Sequence, residues 1–515
     1  MIIKRNHEAS LSIFFSLLIL TMMSLIFSMV ETVRVYAMEI DSTAITHMSL
    51  ESGFSEYNPY IWSKYKILGV DRSEGTGQDS NAPFEEQMVI YGKNNSDLST
   101  LKLSIAGTNF LRMATKEAAV TEYGLLTDSG GAAVIEQGSS MALGAMGAFG
   151  VDKLKEYMIA IPSLDGTGVE GKIGKYAEAV SQANEEIERR KKANKESTDG
   201  SYEELPEDDY LSGDKNPINA FMSFKSSFSD GSLGMYLDTA SVSTKSVDSS
   251  TLASNRLLNQ GNVAAPAISE ADKLLYIIYL LNNFSTFRTR HNVDGLNYEI
   301  EHVLIGKGDD SLNLAGVCGR LFAFRLAENA IALASSASAV KVQAHALAEA
   351  LFSWFPILIP IVALAIEAMM IFAESVLDVR ALLAGRQISA IKTASEWTFD
   401  IWDSPRLADI SFMSKECASG IKYENYLAIM IAIEGLEKLG LRSIDCMEVS
   451  LNTKTEYSNV KFDNLYYRAS IDMDYEAKPL FLSLVTIGDN SIGGYGFSKS
   501  SEINYLQKVD MKISK

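Results

Sequence analysis

The sequence predicts an α+β protein in which an N-terminal transmembrane helix continues into a stalk, and a mostly helical exported domain carries a small antiparallel sheet. Three observations predict this class. Residues 11–30 are apolar without a single charge, apolar residues recur on a helical period between residues 263 and 400, and residues 460–472 and 480–487 read as strands. The apolar run near the start decides where the rest of the chain is placed.

The composition limits the classes of function. The chain has 515 residues, 46 basic and 65 acidic side chains, a net charge of -19 and 47% hydrophobic residues. This apolar fraction can build a core, whereas the acidic balance lacks the clustered Lys and Arg that hold nucleic acid, so no nucleic-acid partner is expected. Three cysteines without a CxxC pair exclude a disulfide-stapled scaffold and a zinc site of that type.

Residues 11–30 are predicted to span a membrane, because a helix of about 20 residues matches a hydrocarbon core about 30 Å thick. Lys4 and Arg5 precede this run, and mainly acidic residues follow it. The positive-inside bias places residues 1–10 in the cytoplasm and the bulk of the chain outside the cell membrane. The alternative is a cleaved signal peptide with Val35 and Ala37 at the cleavage site, although the apolar run exceeds the usual length of about 7–15 residues.

The span is predicted to continue as a helical stalk over residues 31–58, because apolar residues recur there at spacings of three and four. They are Val33, Tyr36, Ile40, Ala44 and Met48. Glu31 and Arg34 are spaced for an i,i+3 contact and are predicted to orient the helix at the membrane interface. An apolar stem that runs into an amphipathic one resembles the first helix of pilins and pseudopilins, which packs against neighbouring subunits. A plain signal anchor with a helical stalk is the alternative.

A series of segments, in their order along the chain, resembles an uncharacterised bacterial family with one N-terminal span. The segments are residues 10–37 (SLSIFFSLLILTMMSLIFSMVETVRVYA), 51–52 (ES), 56–65 (EYNPYIWSKY), 216–217 (NP), 296–301 (LNYEIE), 306–307 (GK), 374–385 (ESVLDVRALLAG), Lys392 and Trp397. Around its span that family is similar to the TadE and TadG minor pseudopilins of tight-adherence pilus systems, which implies pilus-assembly proteins as partners beside membrane lipid. Residues 7–10 lack the Gly of a prepilin cleavage site, so prepilin-type cleavage is not expected.

The exported part divides by composition into four regions. They are a mixed α/β region at 59–180, a charged and Ser-rich linker at 181–262, a helical core at 263–400 and a C-terminal α+β region at 401–515. Strands are predicted at 87–91 and 101–105, and helices at 132–159 and 423–439.

Residues 351–372 form a second apolar segment with two interpretations. As a span it would make this a multi-span membrane protein and return the end of the chain to the cytoplasm. However, Glu349 and Glu367 enclose only a short uncharged run, and Glu367, Glu374 and Asp378 fall on one helical face at about 100° per residue. A helix packed in a soluble bundle is therefore favoured, with these carboxylates as its polar stripe.

No motif predicts catalysis. Residues 166–173 (GTGVEGKI) fit GxGxxG, yet isoleucine stands where a phosphate loop needs a hydroxyl, so a Gly-rich turn before a helix is favoured. One local cluster holds metal-ligand side chains, and neither helix nor strand geometry brings them together: His291, Glu299, Glu301 and His302. No catalytic, cofactor-binding or metal-binding residue is predicted.

The sequence thus predicts a membrane-anchored extracytoplasmic structural or interaction protein, with a role as a pseudopilin-like component of a tight-adherence pilus or cell-surface assembly. An anchored surface hydrolase stays open, because a linear sequence does not show whether distant side chains converge. Cys417 and Cys446 could pair outside the cell, whereas buried thiols are the default expectation.

Overall fold

The computed structural model describes residues 7–97, 111, 113–145, 168–198, 200–206, 216–228, 232–289, 294–335, 337–480 and 494–507. The chain forms two compact units, each assembled from separated segments. The first unit comprises Met1–Ser140, Leu257–Ile268 and Leu451–Lys515, and the second comprises Met141–Arg256 and Ser269–Ser450. Helices dominate and one small antiparallel sheet accompanies them, which confirms the predicted α+β class.

The first unit combines this sheet with helices. Its elements are α1 (His7–Ser55), α2 (Pro59–Tyr65), β1 (Val70–Asp71), α3 (Ala82–Asp97), β2 (Met113–Leu125), most of α4 (Asp128–Ala145), β3 (Leu465–Ala477) and β4 (Tyr495–Asn504). β3 is the central strand and pairs antiparallel with each of the other three. The sheet therefore joins strands from both ends of the chain.

The core of the first unit lies between the sheet and helices α1 and α3. Ile471 and Met473 point to one face of β3, as the two-residue period of a strand requires, and they pack in one cluster with Met38 and Ile45 of α1 and Met88 of α3. Each such side chain contributes about 1.5–3 kcal/mol when it leaves water. This burial fixes the second half of α1 to the sheet.

Helix α1 is 49 residues long, or about 74 Å at about 1.5 Å per residue. It ends at Ser55, shortly before Asn58 caps the next helix by accepting hydrogen bonds from the amides of Tyr60 and Ile61 at 3.0 and 3.1 Å. The predicted apolar stem and stalk are thus one uninterrupted helix.

The second unit is a helical assembly. Its helices are α5 (Val169–Glu196), α6 (Pro217–Ser227), α7 (Glu270–Asn283), α8 (Glu299–Ile305), α9 (Asp310–Ser335), α10 (Ser338–Phe352), α11 (Ile359–Leu383), α12 (Tyr423–Ile433) and most of α13 (Leu436–Asn452). Helix α11 is central, and α5, α9 and α10 pack against it. Every residue of α11 from Ala368 to Leu383 is buried.

Several local predictions differ from the structure. Residues 87–91 lie in helix α3 and not in a strand, because Phe84 and Met88, four residues apart, share the face that packs on the sheet. The sequence analysis missed β2, whose outward positions are polar on an exposed sheet face. Of the segments predicted as strands, 101–105 and most of 480–487 lie outside the described residues, as do the last residues of the helix predicted at 132–159.

Candidate functional site

The first part of α1 exposes its apolar side chains. Large apolar side chains here are more than half exposed, among them Leu11, Phe15, Leu20 and Met29. An 18-residue stretch of this part has a mean hydropathy of 2.4, and none of its residues is buried. This helix is long and apolar enough to cross a membrane, as a permanent anchor or as a signal sequence.

The predicted Glu31–Arg34 contact lies just beyond this part of α1. Arg34 Nη1 donates to Glu31 Oε1 at 2.6 Å, and both side chains are buried. Arg34 Nη2 also donates to the carbonyl oxygens of Leu111 at 2.5 Å and Lys478 at 2.8 Å, while the Leu480 amide donates to Glu31 Oε1 at 3.3 Å. We call this group the Glu31–Arg34 clamp, because it ties α1 to the residues that flank one end of β2 and β3.

Beyond the clamp, α1 has two contrasting faces. One face packs on the sheet and mixes polar with apolar side chains, namely Glu31, Arg34, Met38, Ser42, Ile45 and Ser49. The other face carries the apolar residues that the periodicity singled out, Val33, Tyr36, Ile40, Ala44 and Met48, and all five are exposed. Tyr36 is 64% exposed and Ile40 73%. We call this face the outward stripe; exposed apolar side chains aligned along one helix face are a feature of interaction sites.

The first unit also contains an acidic cleft of about 400 Å³ at the end of α1. Four carboxylates line it: Glu56, Asp71, Glu74 and Glu456. Burial, followed by the negative charges of Glu56 and Asp71, raises the pKa of Glu74. Asp71 is already engaged, since it accepts the amides of Ser73 and Gly75 at 2.9 and 2.7 Å. The negative charge of the cleft suits a cationic group. Among the described residues, however, no set of three His, Cys, Asp or Glu side chains is placed to hold a metal ion.

A buried charge network occupies the interior of the second unit. Arg325 of α9 contacts Asp378 of α11 at 2.8 Å, and Lys392 Nζ donates to Asp378 Oδ1 at 2.5 Å and also to Glu374. All four side chains are at most 1% exposed. The predicted polar stripe of α11 is therefore wrong for Glu374 and Asp378, which face cations from other segments inside the protein. Glu367 is mostly buried and lies 3.6 Å from His345.

The network carries three acids and two bases, since Glu328 joins it through Arg325 and the Tyr426 hydroxyl. Burial opposes ionisation of Asp378, but the positive charges of Arg325 and Lys392 hold its pKa below the ordinary value. Burial raises the pKa of Glu374 and of Glu328, and the nearby cations offset only part of that rise. The Arg325–Asp378 pair joins α9 to α11 within the interior of the second unit.

The cluster of His291, Glu299, Glu301 and His302, for which the sequence predicts no metal site, has three members among the described residues. Glu299, Glu301 and His302 lie in α8 and are buried with different partners, while His291 lies outside the described residues. Glu301 Oε1 accepts two hydrogen bonds, from the amide of Phe287 at 2.8 Å and from the hydroxyl of Tyr423 at 2.7 Å. Glu301 Oε2 is buried without a hydrogen-bond partner. Burial raises the pKa of Glu301 to about 7.

The remaining motifs have structural positions. Gly168, in the left-handed region at φ 59°, is the N-cap of α5, and residues 169–173 of the Gly-rich segment form the start of that helix. Residues 166 and 167 lie outside the described residues. Cys318, Cys417 and Cys446 are free thiols, and the 417–446 pairing is not formed.

A family model matches residues 209–477, just over half of the chain. The chain belongs to DUF5702, a family of unknown function. No curated protein matches it, and no solved structure matches it. The DUF5702 match includes the buried charge network, Glu301 and the central strand β3, but not α1 with its outward stripe. The network is not evident from the sequence because its charged members lie in separate segments, at 325–328, 374–378 and 392.

Proposed function

We propose that this protein is a single-pass membrane protein whose N-terminus is cytoplasmic and whose bulk lies outside, where it acts as a structural or interaction module and not as an enzyme. We further propose that it is a pseudopilin-like component of a tight-adherence pilus or a similar cell-surface assembly. One observation carries the proposal: a single 49-residue helix combines an exposed apolar first part with a second part packed on an antiparallel sheet.

The exposed first part of α1 needs an apolar environment. Burying a large aliphatic side chain contributes about 1.5–3 kcal/mol, which is absent while the side chain stays in water. Eighteen consecutive residues in this part of α1 are unburied. A bilayer gives all of these side chains an apolar environment. The backbone groups of the helix form hydrogen bonds with one another, so they need no water there. Lys4 and Arg5 on one side, and Glu31 and Glu39 on the other, support an inside-to-outside orientation.

The outward stripe supports the assembly role. It extends about 22 Å along α1 beyond the membrane segment, from Val33 to Met48, on the face that the sheet leaves uncovered. A neighbouring single-span helix could lie along this face and remain beside α1 within the bilayer. The proposed likeness of residues 10–37 to a family that is similar, around its span, to TadE and TadG pseudopilins is the reason for expecting such a neighbour.

A photo-crosslinking amino acid placed at Ile40 in intact cells tests the proposal. Ser498, exposed on the neighbouring strand β4, provides the matched control because it lies in the same unit but off the stripe. We expect the probe at Ile40 to capture a single-span membrane protein, identified by mass spectrometry, and the probe at Ser498 not to capture it. Recovery of only lipid, or equal capture from both positions, would contradict the assembly role.

A further inference from the structure

The turn between α10 and α11 presents large apolar side chains to solvent. Ile357 is 72% exposed, and Ile361 and Leu364 are 37% and 47% exposed. Their i, i+4 and i+7 spacing places them on one face of the chain as it enters α11. Farther along this helix the structure buries nearly every residue, so within α11 the exposed large apolar side chains are confined to its start.

This hairpin end is uncharged. No Asp, Glu, Lys or Arg occurs in residues 350–366, between Glu349 and Glu367. The window that contains it has a mean hydropathy of 2.3, close to the 2.4 of the N-terminal span. Trp354 and Phe355 stack at the base of the end, with ring centres 5.6 Å apart. Aromatic rings below an aliphatic end are typical of segments that enter a membrane interface.

Five backbone positions of the hairpin end have a satisfied amide or no amide hydrogen. The amides of Phe355, Leu358 and Ile359 donate to carbonyl oxygens within the turn, and Pro356 and Pro360 have no N–H. A chain end that enters hydrocarbon must satisfy its backbone groups internally, because lipid offers no partner. The two prolines therefore suit this position for contact with lipid.

A basic side chain lies at the level of the aromatic pair. The Arg190 guanidinium of α5 is 5.3 Å from the centre of the Trp354 ring, and it also pairs with Glu186 at 2.9 Å. Arg side chains commonly cover an aromatic ring with their stems and keep the charge at the headgroup level.

We propose that the hairpin end, made of Pro356, Ile357, Pro360, Ile361 and Leu364, inserts into the hydrocarbon surface of the bilayer that α1 spans. This rests on the membrane attachment proposed above and adds a second, shallow attachment that does not cross. A crossing would expose the buried ion pairs farther along α11, and 61% of the apolar window is already inside the protein. Lipid is the occupant that fits, because the end combines an uncharged aliphatic surface with an aromatic pair and a basic side chain at its base.

The full-length protein in phosphatidylcholine nanodiscs allows a direct test. An environment-sensitive fluorophore is attached at Ile357→Cys in a Cys417→Ser background, because Cys318 and Cys446 are buried. The matched control is Gln343→Cys, exposed on α10 of the same hairpin. We expect a blue shift of emission and quenching by doxyl-labelled lipid at position 357, and neither at position 343, with unchanged far-ultraviolet circular dichroism.

Two results would overturn this inference. A fluorophore at position 357 that stays in water would exclude insertion, and a blue shift without quenching by lipid would assign the hairpin end to a protein surface. Reconstitution separates this inference from the proposed function. A protein that enters nanodiscs through α1 but keeps position 357 in water loses only the second attachment, whereas a protein that does not enter nanodiscs contradicts both proposals.

Discussion

Lys392 shows how a single side chain can support the interior of the second unit. It contacts Glu374 and Asp378 and is itself 1% exposed. We expect Lys392→Met to lower the free energy of unfolding by about 3–5 kcal/mol, because it leaves buried carboxylates without their cation. Chemical denaturation measures the change.

Lys116→Met is the matched control for that experiment. Lys116 pairs with Glu476 at 2.5 Å, but both side chains are well exposed, so its loss should leave the free energy of unfolding nearly unchanged. Equal effects of the two substitutions would mean that the network contributes no more than a surface ion pair.

The raised pKa of Glu301 predicts that the stability of the folded protein depends on pH. This pKa is raised from 4.5 to about 7, so between these values the folded state holds a proton that the unfolded state has released. Stability from this group should therefore fall as the pH rises from about 4.5 to about 7, by roughly 3 kcal/mol. Glu301→Gln should flatten this part of the curve and stabilise the protein at pH 8, as thermal unfolding across pH would show. Exposed Glu188→Gln should leave the curve unchanged.

Local and distant contacts differ in how well the sequence predicts them. The Glu31–Arg34 contact is local, and its spacing was sufficient to place the two side chains together. The contacts of Arg34 with Leu111 and Lys478 cross large sequence separations and were not predictable. Asp378 was misplaced for the same reason, since its partners Arg325 and Lys392 lie in other segments.

At the scale of elements, the two faces of α1 should respond differently to one kind of substitution. Met38 is fully buried against the sheet and Ile40 is 73% exposed. We expect Met38→Glu to destabilise the purified protein by about 3–5 kcal/mol, because it buries an unpaired charge. Ile40→Glu should stay within about 0.5 kcal/mol, as exposed substitutions usually do. Denaturation in detergent compares them, and comparable losses would mean that the outward stripe is covered within the protein.

Helices with a strong apolar period were the most predictable elements. The continuous α1 and the helix over α7 follow directly from their sequences. The mixed face of α1 was not predictable, because its small polar residues Ser42 and Ser49 pack on the sheet while the apolar stripe stays outside. Strand β2 was missed because Lys116, Glu117 and Glu122 interrupt its alternation, and irregular pairing with β3 disturbs the period further.

At the scale of the whole molecule, the two units interleave along the chain. The sheet of the first unit needs β3 and β4 from the C-terminal segment, and residues 257–268 also belong to it. A composition shift marks a linker but does not show which distant strands pair. The regional boundaries drawn from composition stay predictions.

Charges placed in the N-terminal span should release the protein from the membrane. We expect Leu18→Arg with Ile19→Arg to prevent stable insertion, because each arginine costs about 2.5–3.5 kcal/mol at the centre of a span. Leu257→Arg, at a position that is 99% exposed, is the control and should leave the protein in the membrane fraction. Immunoblotting of membrane and soluble fractions measures the distribution.

The orientation of the chain is tested most directly by protease added to intact spheroplasts of cells that carry an epitope tag at the N-terminus. The account predicts that the body of the protein is digested while a small tagged fragment with the first part of α1 stays protected in the membrane. A body that resists protease until the membrane is lysed, or a full-length chain found in the soluble fraction, would contradict it.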